Sequence, residues 1–307
     1  MSAKNGDYFF GLKVEKLDLA NLCVVGFPWD ISSTFRKGSK AAPPVIRKIT
    51  TAKFYDPFTE DGVDLTRIWR VYDYGDVEAA ASIDEMRKSV YNVIRNLYND
   101  ELRFLFLGGD HLITYFTLHA LTQLSKGNWA LIYLDSHPDL EEEYEGDRYM
   151  HGSVVRRLVE ETNLRPQSVV EVGIRSFLPS ERKFADDAGI KIMSTVEFER
   201  LGASDAAKRV LKLLPKDVDK VYLSIDLDIL DPAYAPGLGY PEAGGISTRS
   251  LINFIYGLKE LEIFAFDIVE LCPQYDSSSI TAIAAGKIIL ETLGIMRPSS
   301  RRVASKS

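Results

Sequence analysis

Eight short apolar runs, separated by segments with helical periodicity, constrain the fold of this chain more than any other feature. Most of the runs are apolar at nearly every position, as expected of strands that helices cover on both faces. Strands that alternate with helices favour parallel pairing through crossover helices. The predicted strands are residues 22–27, 68–72, 103–107, 129–135, 168–173, 190–193, 220–226 and 263–269. The sequence therefore predicts an α/β fold with three αβα layers and a mostly parallel eight-stranded sheet.

Helical segments are predicted at residues 83–99, 113–124, 154–162, 203–214 and 248–259. The first begins with a capping box, because Ser82 is followed three residues later by Glu85. No proline-rich or serine-rich linker interrupts the interior, so residues 1–307 are expected to form a single domain. Residues 297–307 carry four basic and no acidic side chains and are predicted to be a frayed tail.

Composition and charge argue against several classes of function. The chain has 37 lysines and arginines against 44 aspartates and glutamates, so its net charge of −7 argues against nucleic-acid binding. No apolar stretch approaches the roughly 20 residues that span a bilayer, and no secretory signal is evident, so we expect a cytoplasmic protein without membrane contact. Cys23 and Cys272 lie in apolar runs, which argues against a disulfide.

Four of the predicted strands end in residues that bind metals. In an open parallel sheet, ligands bind beyond the carboxyl ends of the strands, so these residues are candidates for one common site. Residues two apart in an extended chain share a face, which lets the acids and histidines of one strand end converge. The strand ends carry His111 after two glycines, then Asp135, His137 and Asp139, then Asp226 and Asp228, and finally Glu270.

Carboxylates brought so close together repel one another, and a divalent cation would compensate them. Two imidazoles and four carboxylates form an oxygen-rich donor set that suits Mn²⁺ better than structural zinc. Six such ligands suffice for two ions, which together acidify water and favour hydrolysis. A site with one zinc ion, of the amide-hydrolase type, is the alternative. Taken singly, these aspartates could instead cap helices or form turns, and Asp110 and Asp231 could either orient ligands or act as caps.

The same strand ends resemble the four signatures of the ureohydrolase family, which includes arginase and agmatinase. They read GGDH at 108–111, DSHPD at 135–139, SIDLDILDPAYAPG at 224–237 and DIVELCP at 267–273. The resemblance extends over roughly residues 23–289. It departs from the usual pattern at Ser136, where alanine is common, and at Leu112, where serine is common.

The resemblance implies a role for each candidate residue. The two Mn²⁺ ions would be held by His111, Asp135, His137, Asp139, Asp226 and Asp228. Asp139 would also orient the attacking hydroxide, His151 in the His-Gly pair would move a proton, and Glu270 would pair with the substrate guanidinium. The resemblance further implies a homo-oligomer, either a trimer or a hexamer. His151 could instead be an ordinary loop histidine, and Glu270 could pair with a core arginine such as Arg175.

The substrate is predicted from two positions at which arginase-like members place neutral residues that read the amino-acid end of arginine. Here these positions are Glu141 and Asp147, in a loop that carries five acids and no base. Two anions would repel an α-carboxylate and attract a second amine, so the chain is most like an agmatinase that forms putrescine and urea. The alternatives are arginine, guanidinobutyrate, formiminoglutamate or aminopropylagmatine as substrate, or a non-catalytic metal-stabilised binding protein. The acidic loop could also be only a solvated face.

Overall fold

One parallel sheet forms the centre of the structure, a computed structural model that describes residues 8–78 and 80–299. The strands are β1 (Leu22–Gly26), β2 (Val71–Asp76), β3 (Arg103–Leu107), β4 (Trp129–Leu134), β5 (Val169–Ile174), β6 (Lys191–Ser194), β7 (Lys220–Asp226) and β8 (Ile263–Val269). Their order across the sheet is β2-β1-β3-β8-β7-β4-β5-β6, and every neighbouring pair is parallel. The predicted αβα fold is confirmed.

Helices cover both faces of this sheet. In the described residues they are α1 (Ala42–Ile49), α2 (Ile83–Leu97), α3 (Leu112–Leu124), α4 (Val154–Glu161), α5 (Pro179–Ala188), α6 (Thr195–Leu201), α7 (Ala203–Leu213), α8 (Thr248–Tyr256) and α9 (Ile280–Ile295). Side chains of α1 and α6–α9 contribute to one apolar layer, and those of α2–α5 contribute to the other. None of the described helices has the length and apolar character needed to cross a bilayer.

The predicted position of the second strand was wrong. The prediction of residues 68–72 followed apolar side chains, whereas β2 begins at Val71 and continues through Asp73 to Asp76. The strand lies at the edge of the sheet, and Arg47 from α1 forms ion pairs with both aspartates, at 3.0 and 2.6 Å. Because a buried cation compensates them, acidic residues are accommodated in a strand whose sequence lacks the apolar pattern.

The four strands that end in metal-binding residue types lie side by side. These strands, β3, β8, β7 and β4, occupy the middle of the sheet although they come from two distant parts of the chain. Since all run in the same direction, their carboxyl ends meet at one edge. The topology therefore gathers residues from positions 111 to 270 at a single place.

The structure describes only the first part of the predicted C-terminal tail. Of the predicted tail, residues 297–299 are among those described, and the Arg297 carbonyl accepts a hydrogen bond from Arg103 Nε at 3.2 Å. Residues 300–307 lie outside the described part of the chain.

Cys23 and Cys272 are buried free thiols, as predicted.

Candidate metal centre and active site

A cavity of about 540 Å³ opens at the carboxyl ends of the four central strands. All six predicted metal ligands line it, together with three further residues predicted to act on the substrate, Glu141, His151 and Glu270. Asp147 is not among the lining residues. Its side chain accepts a hydrogen bond from the Tyr149 amide at 2.8 Å within its own loop, so the structure does not bring Asp147 to the site.

The candidate ligands form two groups that share Asp135. One group contains His111, Asp135 and Asp139, and the other contains Asp135, His137 and Asp228, with ligand atoms within 4.8 Å of one another in each. A shared carboxylate between two sets of donors is the arrangement expected of a bridging ligand. Asp226 adjoins the first group, with its Oδ2 3.1 Å from His111 Nδ1.

The geometry around His111 fits a cation better than a set of hydrogen bonds. His111 Nδ1 lies 2.9 Å from Asp135 Oδ2, 3.1 Å from Asp226 Oδ2 and 3.5 Å from Asp139 Oδ2. One ring nitrogen cannot hydrogen-bond three carboxylates at once. Asp135 Oδ2 is buried and makes no hydrogen bond to any described residue. These donor atoms therefore fit a divalent ion with a preference for oxygen and imidazole.

The electrostatics of the cluster give the same indication. Burial raises the pKa of Asp139 and of Asp226 well above the ordinary aspartate value, and repulsion between neighbouring carboxylates raises both further. Burial also acts on Asp228, but His137 outweighs it and holds the pKa of Asp228 below its ordinary value. Protein groups alone thus leave part of this charge uncompensated, and bound divalent ions would compensate it.

A buried hydrogen-bond network contacts Nε2 of His111, the ring nitrogen that faces away from the carboxylates. His111 Nε2 contacts Ser224 Oγ at 2.8 Å, and Ser224 Oγ donates to Asp267 Oδ1 at 2.8 Å. The other oxygen of Asp267 accepts bonds from Thr114 and Tyr222, each at 2.6 Å. Such a network fixes the orientation of a ligand imidazole. Sequence reasoning missed it, although a polar residue within a fully buried strand requires a hydrogen-bonding partner.

Ser136, noted as a departure from the family pattern, contacts the second group of ligands. Its hydroxyl lies 2.6 Å from Asp228 Oδ2 and 2.9 Å from His137 Nδ1, and its amide donates to Asp228 Oδ1 at 2.9 Å.

Two tyrosines at the site, Tyr133 and Tyr240, were not predicted from the sequence. The Tyr133 hydroxyl contacts His111 and Asp139, and the Tyr240 ring packs edge-on against His137 with centroids 5.2 Å apart.

Glu270 lies at the end of β8 with its carboxylate only partly used. Oε1 accepts from the His111 amide at 2.9 Å and lies 3.2 Å from His151 Nδ1. Oε2 is buried without a hydrogen-bonding partner in the described part of the chain. The alternative pairing with Arg175 is wrong, because the described hydrogen bonds of that guanidinium go to backbone carbonyls. Glu270 also has a φ of +65°, which marks local backbone strain at the site.

His151 is engaged at both ring nitrogens. Nδ1 faces Glu270, while Nε2 lies 2.8 Å from Thr34 Oγ1 and 3.2 Å from the Thr34 amide nitrogen. Burial lowers its pKa, but Glu270 outweighs burial and raises the pKa of His151 to about 9. The ring thus lies in the cavity beside a carboxylate, where it can hold a proton at neutral pH.

The two glycines before His111 permit close backbone packing. A Cβ on Gly109 would lie 1.8 Å from the Trp29 carbonyl oxygen, and one on Gly108 would lie 2.6 Å from Val269 Cγ1. Neither residue has a positive φ. The next residue, Asp110, accepts hydrogen bonds from the amide and hydroxyl of Ser32, at 2.9 and 2.7 Å. These contacts attach the loop after β1 to the end of β3.

Asp231, whose role the sequence left open, and Glu141, predicted to bind the substrate, have different surroundings. Asp231 accepts hydrogen bonds from the amides of Ala233 and Gly244 and so shapes the loop after β7. Glu141 lines the cavity, and burial raises the pKa of its carboxyl group. Of the two predicted substrate-reading acids, Glu141 is therefore the one placed to meet a bound molecule.

Comparison with known proteins assigns the family. A profile of the arginase family matches residues 20–294. The guanidinopropionase of Pseudomonas aeruginosa is 32% identical over 291 residues, covering 92% of this chain and 88% of that protein. The agmatinase of Halalkalibacterium halodurans is 32% identical over 275 residues, covering 88% and 90%. A crystal structure described as a hypothetical agmatinase from Burkholderia thailandensis superposes with a TM-score of 0.85 at 30% identity, covering 94% and 90%.

These matches extend across the strands and loops that build the cavity. They confirm the resemblance found in the sequence motifs. The chain belongs to the arginase family and is a ureohydrolase, an enzyme that acts on guanidino compounds.

Proposed function

We propose that this enzyme hydrolyses agmatine to putrescine and urea with two Mn²⁺ ions. The observation that carries the proposal is the charge of the cavity wall. No lysine or arginine is among its described lining residues, whereas seven carboxylates are: Asp135, Asp139, Glu141, Glu181, Asp226, Asp228 and Glu270. Two divalent ions would offset four of these charges and leave the cavity negative. That charge suits agmatine, which is cationic at both ends, and opposes a substrate carboxylate.

At the metal end, Glu270 would receive the guanidinium. Its unpartnered Oε2 can accept an N–H group, while its Oε1 stays bonded to the His111 amide. A carboxylate and a guanidinium form strong charge-assisted hydrogen bonds, and the fixed position of Glu270 would orient the central carbon of the substrate. Two bound Mn²⁺ ions would supply Lewis acidity and an acidified water.

Asp139 and His151 would handle the protons. Asp139, which accepts a hydrogen bond from the Tyr133 hydroxyl, would accept another from the attacking water. When the bond between the guanidinium carbon and the alkyl-substituted nitrogen breaks, that nitrogen needs a proton. His151 would supply it, since Glu270 outweighs burial and raises the pKa of His151 to about 9. Transfer of this proton gives putrescine as an amine and leaves urea.

At the outer end, Glu141 would meet the primary amine of agmatine. It lies in the cavity wall, and no hydrogen bond to its carboxylate is found in the described residues. Glu181, by contrast, already accepts hydrogen bonds from the Leu140 and Leu178 amides. Relatives with equal identity include a guanidinopropionase and an agmatinase, so identity alone does not select the substrate. The charge of the cavity wall is what supports agmatine.

The test is a substrate panel with the Mn²⁺-loaded enzyme. Urea release is measured from agmatine, arginine and guanidinopropionate, and agmatine is expected to have the highest kcat/KM. Glu141→Gln should raise the KM for agmatine by about tenfold, since a partly exposed charge pair contributes roughly 1 kcal/mol or more. Glu143→Gln, in the same loop but outside the cavity wall, is the matched control. Preference for arginine or guanidinopropionate, each of which carries a carboxylate, would refute the argument from charge.

A further inference from the structure

Residues 30–38, between β1 and α1, contribute Thr34 and Phe35 to the cavity wall and place Thr34 against His151. The geometry assigns Thr34 as the positioning residue for His151: its hydroxyl group pairs with Nε2 of the ring in both protonation states. The assignment rests on the proposed function, in which His151 moves a proton.

The three groups that face the His151 ring differ in what they can do. The ionised carboxylate of Glu270, 3.2 Å from Nδ1, can only accept a hydrogen bond. The Thr34 amide, 3.2 Å from Nε2, can only donate one. The Thr34 hydroxyl, at 2.8 Å from Nε2, can do either by rotating its proton. Only the hydroxyl therefore matches Nε2 whether or not that nitrogen carries a proton.

A residue that delivers and recovers a proton must keep its orientation in both states. In the neutral ring with its proton on Nδ1, the amide and the hydroxyl of Thr34 both can donate to Nε2. In the imidazolium, the amide no longer has a matching acceptor, and the hydroxyl accepts from Nε2. Without the hydroxyl, the imidazolium would lose this partner, and among the described residues Glu270 would remain as the hydrogen-bond acceptor for the ring. Orientation of this kind by a neighbouring group supports proton transfer in the site.

The loop that carries Thr34 is itself anchored at several points. Ser32 donates two hydrogen bonds to the fully buried Asp110, and the Gly38 amide donates to Asp30 Oδ2 at 2.9 Å. These bonds fix the backbone on both sides of Thr34. The charged groups that face His151 are Glu270, Asp139, Asp110 and Glu141, all of them acidic. The Thr34 hydroxyl thus gives Nε2 an uncharged hydrogen-bonding partner in a site whose charged groups are acidic.

The first arm of the test compares Thr34→Val with Thr34→Ser. Valine keeps the shape and the backbone amide but removes the hydroxyl, while serine restores it. We expect Thr34→Val to lower kcat on agmatine by about tenfold with KM almost unchanged, because water can partly replace an exposed hydroxyl. Thr34→Ser should recover most of the loss. Ser33→Ala is the matched control, since the buried Ser33 hydroxyl has no hydrogen-bonding partner in the described residues.

The second arm does not depend on turnover. The chain has four histidines, so nuclear magnetic resonance of ring-labelled histidine can follow each one, and His151→Gln identifies the His151 signal. In metal-free protein, Thr34→Val should lower the pKa of His151, because the imidazolium loses an acceptor, and Thr34→Ser should not.

The two arms separate the possible outcomes. A lower kcat and a lower His151 pKa in the valine variant, both recovered by serine, would support the assignment. An unchanged His151 pKa in the valine variant would overturn it, as would full activity on agmatine. If agmatine is not hydrolysed by the unaltered enzyme, the proposed substrate fails, and the histidine titration alone decides the role of Thr34.

Discussion

A single hydroxyl group, that of Ser136, connects two candidate ligands of one ion. Ser136→Ala would remove its contacts with Asp228 and His137 while leaving both donors in place. Because partners of this kind orient metal ligands, we expect Mn²⁺ affinity to fall by about tenfold or more. Calorimetric titration of metal-free protein with Mn²⁺ measures the change.

The control for this prediction is another buried serine. Ser39→Ala also removes a buried hydroxyl, but one without a hydrogen-bonding partner in the described residues. It should leave Mn²⁺ affinity unchanged. Equal losses in the two variants would mean that Ser136 acts on stability and has no specific effect on the metal site.

Glu171 is an acid that the proposed chemistry does not use. It lies in β5, is fully buried, and neither carboxyl oxygen has a hydrogen-bonding partner in the described residues. Burial raises its pKa well above the ordinary value, and Asp139 and Asp135 raise it further. The folded protein therefore keeps a proton that the unfolded chain releases above pH ~4.3. Stability from this group is present below that pH and declines as pH rises toward the folded-state pKa.

Glu171→Gln should remove this dependence. In urea unfolding of metal-free protein above pH 5.5, the free energy of unfolding of the variant should gain on that of the unaltered protein as pH rises, with an upper limit of about 1.4 kcal/mol per pH unit. Glu199→Gln, an exposed glutamate of α6, should follow the unaltered protein. Parallel pH profiles for Glu171→Gln and the unaltered protein would contradict the prediction.

Among the secondary-structure elements, the limits of a strand were predicted best where its side chains are buried on both faces of the sheet. The limits of β3, β7 and β8 were predicted correctly because each is a clear run that ends in a glycine or an acid. Helix α9 was not predicted, since it is buried almost all round and lacks an amphipathic pattern. The capping box before α2 formed only in part. Ser82 accepts from the Glu85 amide, but the Glu85 carboxylate accepts from Ala81.

The site residues fall into those that could be predicted from the sequence and those that could not. Those at strand ends, such as His111 and Asp226, could be predicted because the topology alone brings them together. Residues that depend on a loop or on a partner strand could not. Thr34 reaches His151 across 117 positions of sequence, and Ser224 reaches His111 across 113. Local spacing carries no information about such pairs.

The junction between β1 and β3 offers a test of backbone packing. Gly109→Ala would place a methyl group 1.8 Å from the Trp29 carbonyl oxygen, so the two strand ends would have to separate. We expect the free energy of unfolding to fall by about 3 kcal/mol. Metal affinity should fall too, because His111 follows two residues later.

Gly62→Ala provides the comparison. Nothing lies within 4 Å of its added methyl group, and the cost comes only from a φ of +86°. That cost is about 1 kcal/mol. Urea denaturation of both variants measures the difference, and equal losses would rule out close packing as the reason for glycine at position 109.

For the molecule as a whole, metal binding and stability should be coupled. Bound Mn²⁺ would relieve the repulsion among buried carboxylates, so loading each site to roughly 100 times its Kd should add about 2.7 kcal/mol per site and raise Tm by about 4 °C per site. Burial raises the pKa of Asp139 and Asp226, so protons compete with the metal as pH falls. The Tm increase should therefore shrink from pH 8 to pH 6.

Differential scanning fluorimetry with and without Mn²⁺ measures this coupling. Asp226→Asn removes one candidate ligand and should abolish most of the Mn²⁺-induced shift. An equal shift in this variant would locate the stabilising ion elsewhere.

The order of strands at the centre of the sheet also has a consequence for synthesis. Strands β3 and β4 are consecutive in the chain, but β7 and β8 lie between them. A nascent chain that has emerged only as far as β6 lacks the two strands that join β2-β1-β3 to β4-β5-β6, so these two groups of strands cannot yet form one sheet. The last strands to leave the ribosome must join them. The candidate metal centre can therefore assemble only after nearly the whole chain has been synthesised, so Mn²⁺ binding would indicate that β7 and β8 have been added to the sheet.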